Sequence, residues 1–102
     1  NGFIFVSGQL PVNPETGAME AGSAKEMTIQ SMQNIGAILS AAGSSFEKIV
    51  KTTIYVTDLA LFSEVNQAYS EFFGDNPPSR SCVQVSALPK GAGIEIEAIA
   101  CV

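Results

Sequence analysis

Hydrophobic and polar positions alternate from the start of the chain. Phe3, Phe5 and Ser7 fall on one side of an extended segment, and Ile4, Val6 and Gly8 on the other. That alternation predicts a strand over residues 1–11, buried on at least one face. Gly8 interrupts it, as a strand end does, or a place where backbone or ligand comes close. The run Asn13-Pro14-Glu15-Thr16-Gly17 has turn chemistry, and a short returning strand is expected near residues 18–20. The period then lengthens. Ala24, Met27, Met32, Ile35, Ile38, Leu39 and Ala42 form an apolar stripe at helical spacing. Ser23 and Glu26 make a capping box at its start, and Gly43 suits the left-handed residue past its end. Period two returns over residues 49–57. Val50, Thr52, Ile54 and Val56 face one way, while Lys51, Thr53, Tyr55 and Thr57 face the other, with β-branched residues dominant. Asp58 caps a second helix that is expected to reach Phe73. Its stripe is Phe62, Val65, Tyr69 and Phe72, and Gly74 closes it. Asn66 lies beside the stripe, where a polar residue can reach a boundary or a pocket, although an ordinary exposed asparagine is the simplest reading. Asp75-Asn76-Pro77-Pro78 is an extended or turning connector. Strands follow over residues 80–85 and 94–102. The order β-β-α-β-α-β-β predicts an α+β domain with two helices packed on one sheet face.

Composition narrows this picture. At 102 residues the chain reads as one domain, residues 1–102, with a modest core. Hydrophobic residues make up 46% and charged residues only 15%, below the ~25% usual for globular domains. So few charges imply that some apolar surface is hidden in subunit contacts. The net charge is −5 and the five cations are scattered. That argues against partners bound through nucleic-acid phosphates or anionic membrane. No apolar run approaches the ~20 residues of a membrane span. A cytoplasmic location is expected. Histidine is absent, which excludes His-based triads and His-zinc sites. Cys82 and Cys101 lack metal or CxxC spacing and are expected to be reduced thiols. No metal or organic cofactor is expected.

Chemistry concentrates between residues 77 and 101. Arg80 is the only arginine, and Glu95 interrupts the apolar run Ile94-Glu95-Ile96-Glu97-Ala98-Ile99. Alternation groups Arg80, Cys82 and Gln84 on one side of their strand, with Ser81, Val83 and Val85 on the other. In the last strand Ile94, Ile96, Ala98 and Ala100 form an apolar side. Packing the helices on Val83, Val85, Ile94 and Ile96 leaves Arg80, Cys82, Glu95 and Glu97 together on the opposite face. Two readings of these residues stand. Arg80 can pair with Glu95 or Glu97 in an ion pair, contributing only ~0–1 kcal/mol if exposed. Alternatively, Arg80 offers its planar fork to a carboxylate, and Glu95 moves protons on a nearby water.

The segments SGQLPVNPETG, AILSAAGSSFEKIVKTTIYVTDL, NQAYSEFFGDNPPSRSCVQVSALPKG and IEIEAIA closely resemble the RidA/YjgF family of enamine/imine deaminases. The resemblance runs from Phe3 to Val102, and PxRSCVxVxxLP with IEIEA is its most specific part. It implies a chorismate-mutase-like fold and a homotrimer with a site in each cleft between subunits. It also implies cofactor-free hydrolysis of 2-aminoacrylate-type enamines and their imines, 2-iminopropanoate and 2-iminobutanoate, to 2-keto acids and ammonia. Arg80 matches the family's carboxylate-binding arginine, and Glu95 its water-positioning glutamate. Cys82 matches a cysteine lining the site, Gly8 a glycine whose backbone lies near the ligand, and Asn66 a polar position near the cleft. No secretory signal is visible at Asn1, and the resemblance implies a further segment of about twenty residues before it, carrying a Gly-Pro-Tyr run whose tyrosine contributes to the pocket. Other readings are a keto-acid-sensing module without catalysis, chorismate mutase, and a translation inhibitor or ribonuclease. A single arginine is a poor supply of cations for the dicarboxylate of a mutase. Acidic charge and the lack of histidine argue against direct action on RNA.

Overall fold

The computed structural model describes residues 2–102. Four strands form one sheet in the order β1-β4-β2-β3. They are β1 (Phe3–Gln9), β2 (Ile49–Val56), β3 (Ser79–Gln84) and β4 (Ile94–Cys101). Two helices, α1 (Ala24–Ala41) and α2 (Phe62–Ser70), cover one face. β4 pairs antiparallel with both β1 and β2, whereas β2 and β3 run parallel. A parallel pair needs a crossover, and the segment containing α2 supplies it. The expected returning strand is reduced to a single antiparallel bridge between Val12 and Met19.

The helical face is closed by Met32, Ile35 and Leu39 of α1 and by Val65 and Tyr69 of α2. These pack on Ile54, Val56, Ile94, Ile96, Ala98 and Ala100 from the sheet. Strict alternation in β4 buries every second residue, as a sheet covered on one side requires. The capping box forms as the sequence predicts. Glu26 N–H donates to Ser23 Oγ at 3.1 Å, and Ser23 N–H donates to Glu26 Oε1 at 2.9 Å. That backbone bond is the main cause holding the Glu26 carboxyl below its usual pKa. Gly43 adopts φ 81°, the left-handed conformation that favours glycine.

Two local expectations change. Val50 does not share the buried side of β2; it is 42% exposed, and Ile49 is buried instead. The β2–β4 register shifts between Ile49 and Lys51, and this bulge turns Val50 outward. The second helix does not run unbroken from Asp58 to Phe73. The Asp58 side chain accepts from Ala60 N–H at 2.9 Å and caps a 3-10 turn, Leu59–Leu61, before α2 begins. α2 then ends at Ser70. A turn follows and brings both Phe72 and Phe73 against Phe46, with ring centroids 5.3 Å and 6.2 Å away. Consecutive residues of a continuous helix diverge around its axis and do not share one neighbour so readily.

Candidate functional site

Arg80 sits on β3, at the edge of the sheet. Its register neighbour on β2 is Thr52, and that of Cys82 is Ile54. Thr52 and Ile54 are fully buried beneath the helices. Arg80 and Cys82 are therefore on the helical face, both half-buried, while Val83 is 41% exposed on the open face. Glu95 lies beside Tyr55, and Glu97 beside Thr53, on that open face. The expectation that Arg80, Cys82, Glu95 and Glu97 share one face is thus incorrect. The register fixed by the parallel β2–β3 pairing, not the apolarity of Val83 and Val85, decides which side of this edge strand meets the helices. Arg80 and Glu95 are two strands apart and offset by three residues along them, roughly 14 Å between backbones, and their side chains leave opposite faces of the sheet. Pairing within one chain is excluded by this geometry.

What receives Arg80 instead is α2. The guanidinium Nη1 donates to Asn66 Oδ1. Its Cζ lies 5.2 Å from the Phe62 ring centroid and 5.3 Å from that of Tyr69, within cation–π range. Asn66, whose spacing alone favours an ordinary exposed residue but which the resemblance places near the cleft, is half-buried and tied to the arginine. The Tyr69 hydroxyl is 2.7 Å from Thr52 Oγ1 in a buried hydrogen bond. Burial pushes the Tyr69 phenol above its ordinary pKa, opposed by that bond and by the Arg80 charge. Burial likewise pushes the Cys82 thiol up, opposed by Arg80. Arg80 opens into a cavity of about 320 Å³ lined by Asn66, Tyr69, Ser70, Pro77 and Pro78. A cationic fork beside stiff proline walls can hold a small carboxylate.

Glu95 belongs to a separate arrangement with Gly8. The β1–β4 register shifts between Val6 and Gln9, which carries Gly8 beneath the glutamate. A Cβ at position 8 would stand 2.6 Å from Glu95 Cδ and 2.9 Å from its Cγ. Only a glycine lets the carboxylate arm lie across the backbone there. On the same face the Tyr55 hydroxyl donates to Glu97 Oε1 at 3.3 Å. Partial desolvation, followed by the charges of Glu97 and Glu95, raises its pKa. Gly8 also lines a groove of about 430 Å³ with Gln9, Asn34, Ile38 and Lys90. That groove contains neither Arg80 nor Glu95.

The structure brings together Arg80, Asn66 and Cys82 in one cluster, and Gly8 and Glu95 in another. Phe62 and Tyr69 were legible only as core stripe. Their spacing from Asn66, at i, i+4 and i+7, was the available sign that all three face one neighbour. Among the described residues no group of three His, Cys, Asp or Glu side chains could hold a metal ion. Among the same residues no helix is long and apolar enough to cross a membrane.

Two helices on a four-stranded mixed sheet, with the sole arginine on an edge strand and a glutamate over a strand glycine, define a domain of the YjgF/L-PSP fold. The chain belongs to the Endoribonuclease L-PSP family, whose sequence model matches residues 1–102. A RutC family protein of Pyrococcus abyssi is 51% identical over 98 residues, covering 96% of this chain and 77% of that protein. Human 2-iminobutanoate/2-iminopropanoate deaminase is 44% identical over 97 residues, covering 95% of this chain and 71% of the relative. Among solved structures, a Rid family protein from Yersinia pestis superposes with TM-score 0.96 at 48% identity, covering all of this chain and 82% of that one. Escherichia coli TdcF with bound serine superposes with TM-score 0.94 at 43% identity, with coverage of 100% and 82%.

Proposed function

We propose that this protein is a cofactor-independent imine deaminase, hydrolysing 2-iminopropanoate, 2-iminobutanoate and their enamine tautomers to 2-keto acids and ammonia. It acts as a homotrimer in which Arg80 of one subunit and Glu95 of the next complete each site. The observation that carries this reading is the separation of the two groups. Among the described residues Arg80 is held by α2 with no carboxylate partner, and Glu95 lies on the opposite face beside a glycine shaped to fit it. A second copy is the economical way to bring a glutamate to an arginine cavity. The open face suits such contact, because Phe3 and Phe5 are 62% and 73% exposed there. Relatives named as iminobutanoate/iminopropanoate deaminases support the reaction class. The serine bound to TdcF supports a small molecule bearing a carboxylate.

The chemistry needs little equipment. The fork of Arg80 binds the substrate carboxylate and fixes C2. Enamine substrates first tautomerise to the imine, and the imine nitrogen is protonated. Glu95 takes a proton from water as its oxygen bonds to C2 of the iminium. The proton passes to nitrogen in the resulting carbinolamine. The C–N bond then breaks as the C=O bond forms, releasing ammonia, and the hydroxyl proton leaves as the keto acid is completed. One water is consumed, and no electron is transferred.

The test uses 2-aminoacrylate generated enzymatically in the assay. Arg80→Ala is expected to abolish accelerated deamination while keeping the circular dichroism of the wild type. Full activity in that variant overturns the assignment. Binding of 2-oxobutyrate by the wild type without accelerated imine hydrolysis favours a sensing module instead.

A further inference from the structure

We infer that Phe62 and Tyr69 are positioning residues that, with Asn66, cage the Arg80 guanidinium and present its remaining edge to a carboxylate. This deepens the reading of Arg80 as the carboxylate anchor and rests on it.

The cage follows from the sequence of α2. Phe62, Asn66 and Tyr69 recur at i, i+4 and i+7, so one face of a nine-residue helix carries all three. That face meets β3 at Arg80. The two ring centroids stand at nearly equal distances from Cζ, 5.2 Å and 5.3 Å. Asn66 engages Nη1. Among the described residues this is the one hydrogen bond that the arginine side chain makes, and the edge formed by Nε and Nη2 keeps its donors. A carboxylate binding side-on would take that edge bidentately.

Tyr69 is itself fixed. It is 3% exposed, its hydroxyl bonds to Thr52 Oγ1, and its ring lies 5.0 Å from that of Phe73. Phe62 is half-buried and lies outside the main core cluster. A phenylalanine beside an edge-strand cation, with little core to fill, has the guanidinium as its evident partner. An uncaged arginine on a sheet edge samples many rotamers and loses that freedom on binding. A caged one has lost it already, so its fork binds more tightly for the same contacts.

Because Arg80 is the sole arginine, its Nε–H gives a single, self-assigned signal in a proton–nitrogen NMR spectrum. In the full-length wild type that signal is expected away from the free-arginine position, shifted by the two rings, and to move on titration with 2-oxobutyrate. Phe62→Leu is expected to return it toward the free position and to weaken 2-oxobutyrate about three- to fivefold, the scale of one lost cation–π contact. KM for the imine should rise by the same factor, with kcat changing less. Phe62→Tyr, which keeps a ring in place, should restore both. A wild-type signal that ignores 2-oxobutyrate overturns the anchor reading and this proposal with it. A responsive signal that Phe62→Leu leaves unmoved, with unchanged affinity, overturns the cage alone.

Discussion

At the scale of single residues, Gly8 and Cys82 make opposite demands. Gly8 is needed for what it lacks. Adding a methyl group there forces Glu95 off the backbone of β1. Gly8→Ala is therefore expected to lower kcat/KM at least about tenfold, through misplacement of the carboxylate proposed to move protons. The urea midpoint should stay near wild type, because a side chain and not the sheet has to shift. A variant with unchanged kcat/KM would remove Glu95 from the reaction. Cys82 matters for its protonation. Burial raises its pKa above 9.0, and burial raises that of Tyr69 above 10.0. Both groups favour the neutral form in the folded state, so their contribution to stability is complete below those values and is lost as pH rises through the folded ones. Melting temperature should hold steady from neutrality to about pH 9 and then decline, and Cys82→Ser with Tyr69→Phe should flatten the decline. An identical alkaline slope in the double variant would locate the sensitive groups elsewhere. The lone arginine and the glutamate within an apolar strand were both readable from the chain. The second use of Phe62 and Tyr69 was not, because an aromatic at helical spacing gives the same signal whether it fills a core or flanks a cation.

At the scale of elements, periodicity located both helices and the long strands, and capping chemistry located the ends of α1 but not those of α2. It could not choose the buried face of β3. Ser81, Val83 and Val85 look more apolar than Arg80, Cys82 and Gln84, yet the latter side meets α2. Pairing register is a nonlocal property, and on an edge strand the hydrophobic contrast is too weak to reveal it. The bulge at Ile49–Lys51 was hidden for the same reason, since either Val50 or Ile49 serves as a core residue. Asn34 shows a further link that spacing did not expose. From α1 its Nδ2 donates to the carbonyls of Val12 at 2.8 Å and Leu10 at 3.2 Å, anchoring the chain just after the Gly8 bulge. Asn34→Ala should cost about 1–2 kcal/mol in urea denaturation and speed amide exchange over residues 10–19. Unchanged exchange there would show that the loop holds itself.

At the scale of the whole molecule, the low charge content leads to the expectation that some apolar surface meets another subunit. A chain with 15% charged residues leaves Phe3, Phe5 and Val83 uncovered on the open face of its sheet. If that face joins subunits, Phe5→Glu should shift light scattering from three chains of 10.7 kDa toward one and remove deaminase activity while helical circular dichroism persists. A trimer that tolerates a charge at residue 5 would move the interface elsewhere. The proposal that each site is built from two chains can be tested more directly still. Arg80→Ala and Glu95→Gln are each expected to be nearly inactive alone. Unfolded together in equal amounts and refolded, they form mixed trimers in which Arg80 from one variant meets Glu95 from the other. About a quarter of the sites are then intact, and imine hydrolysis should reappear at about that fraction of the wild-type rate. Mixed trimers as inactive as either parent would contradict the shared site.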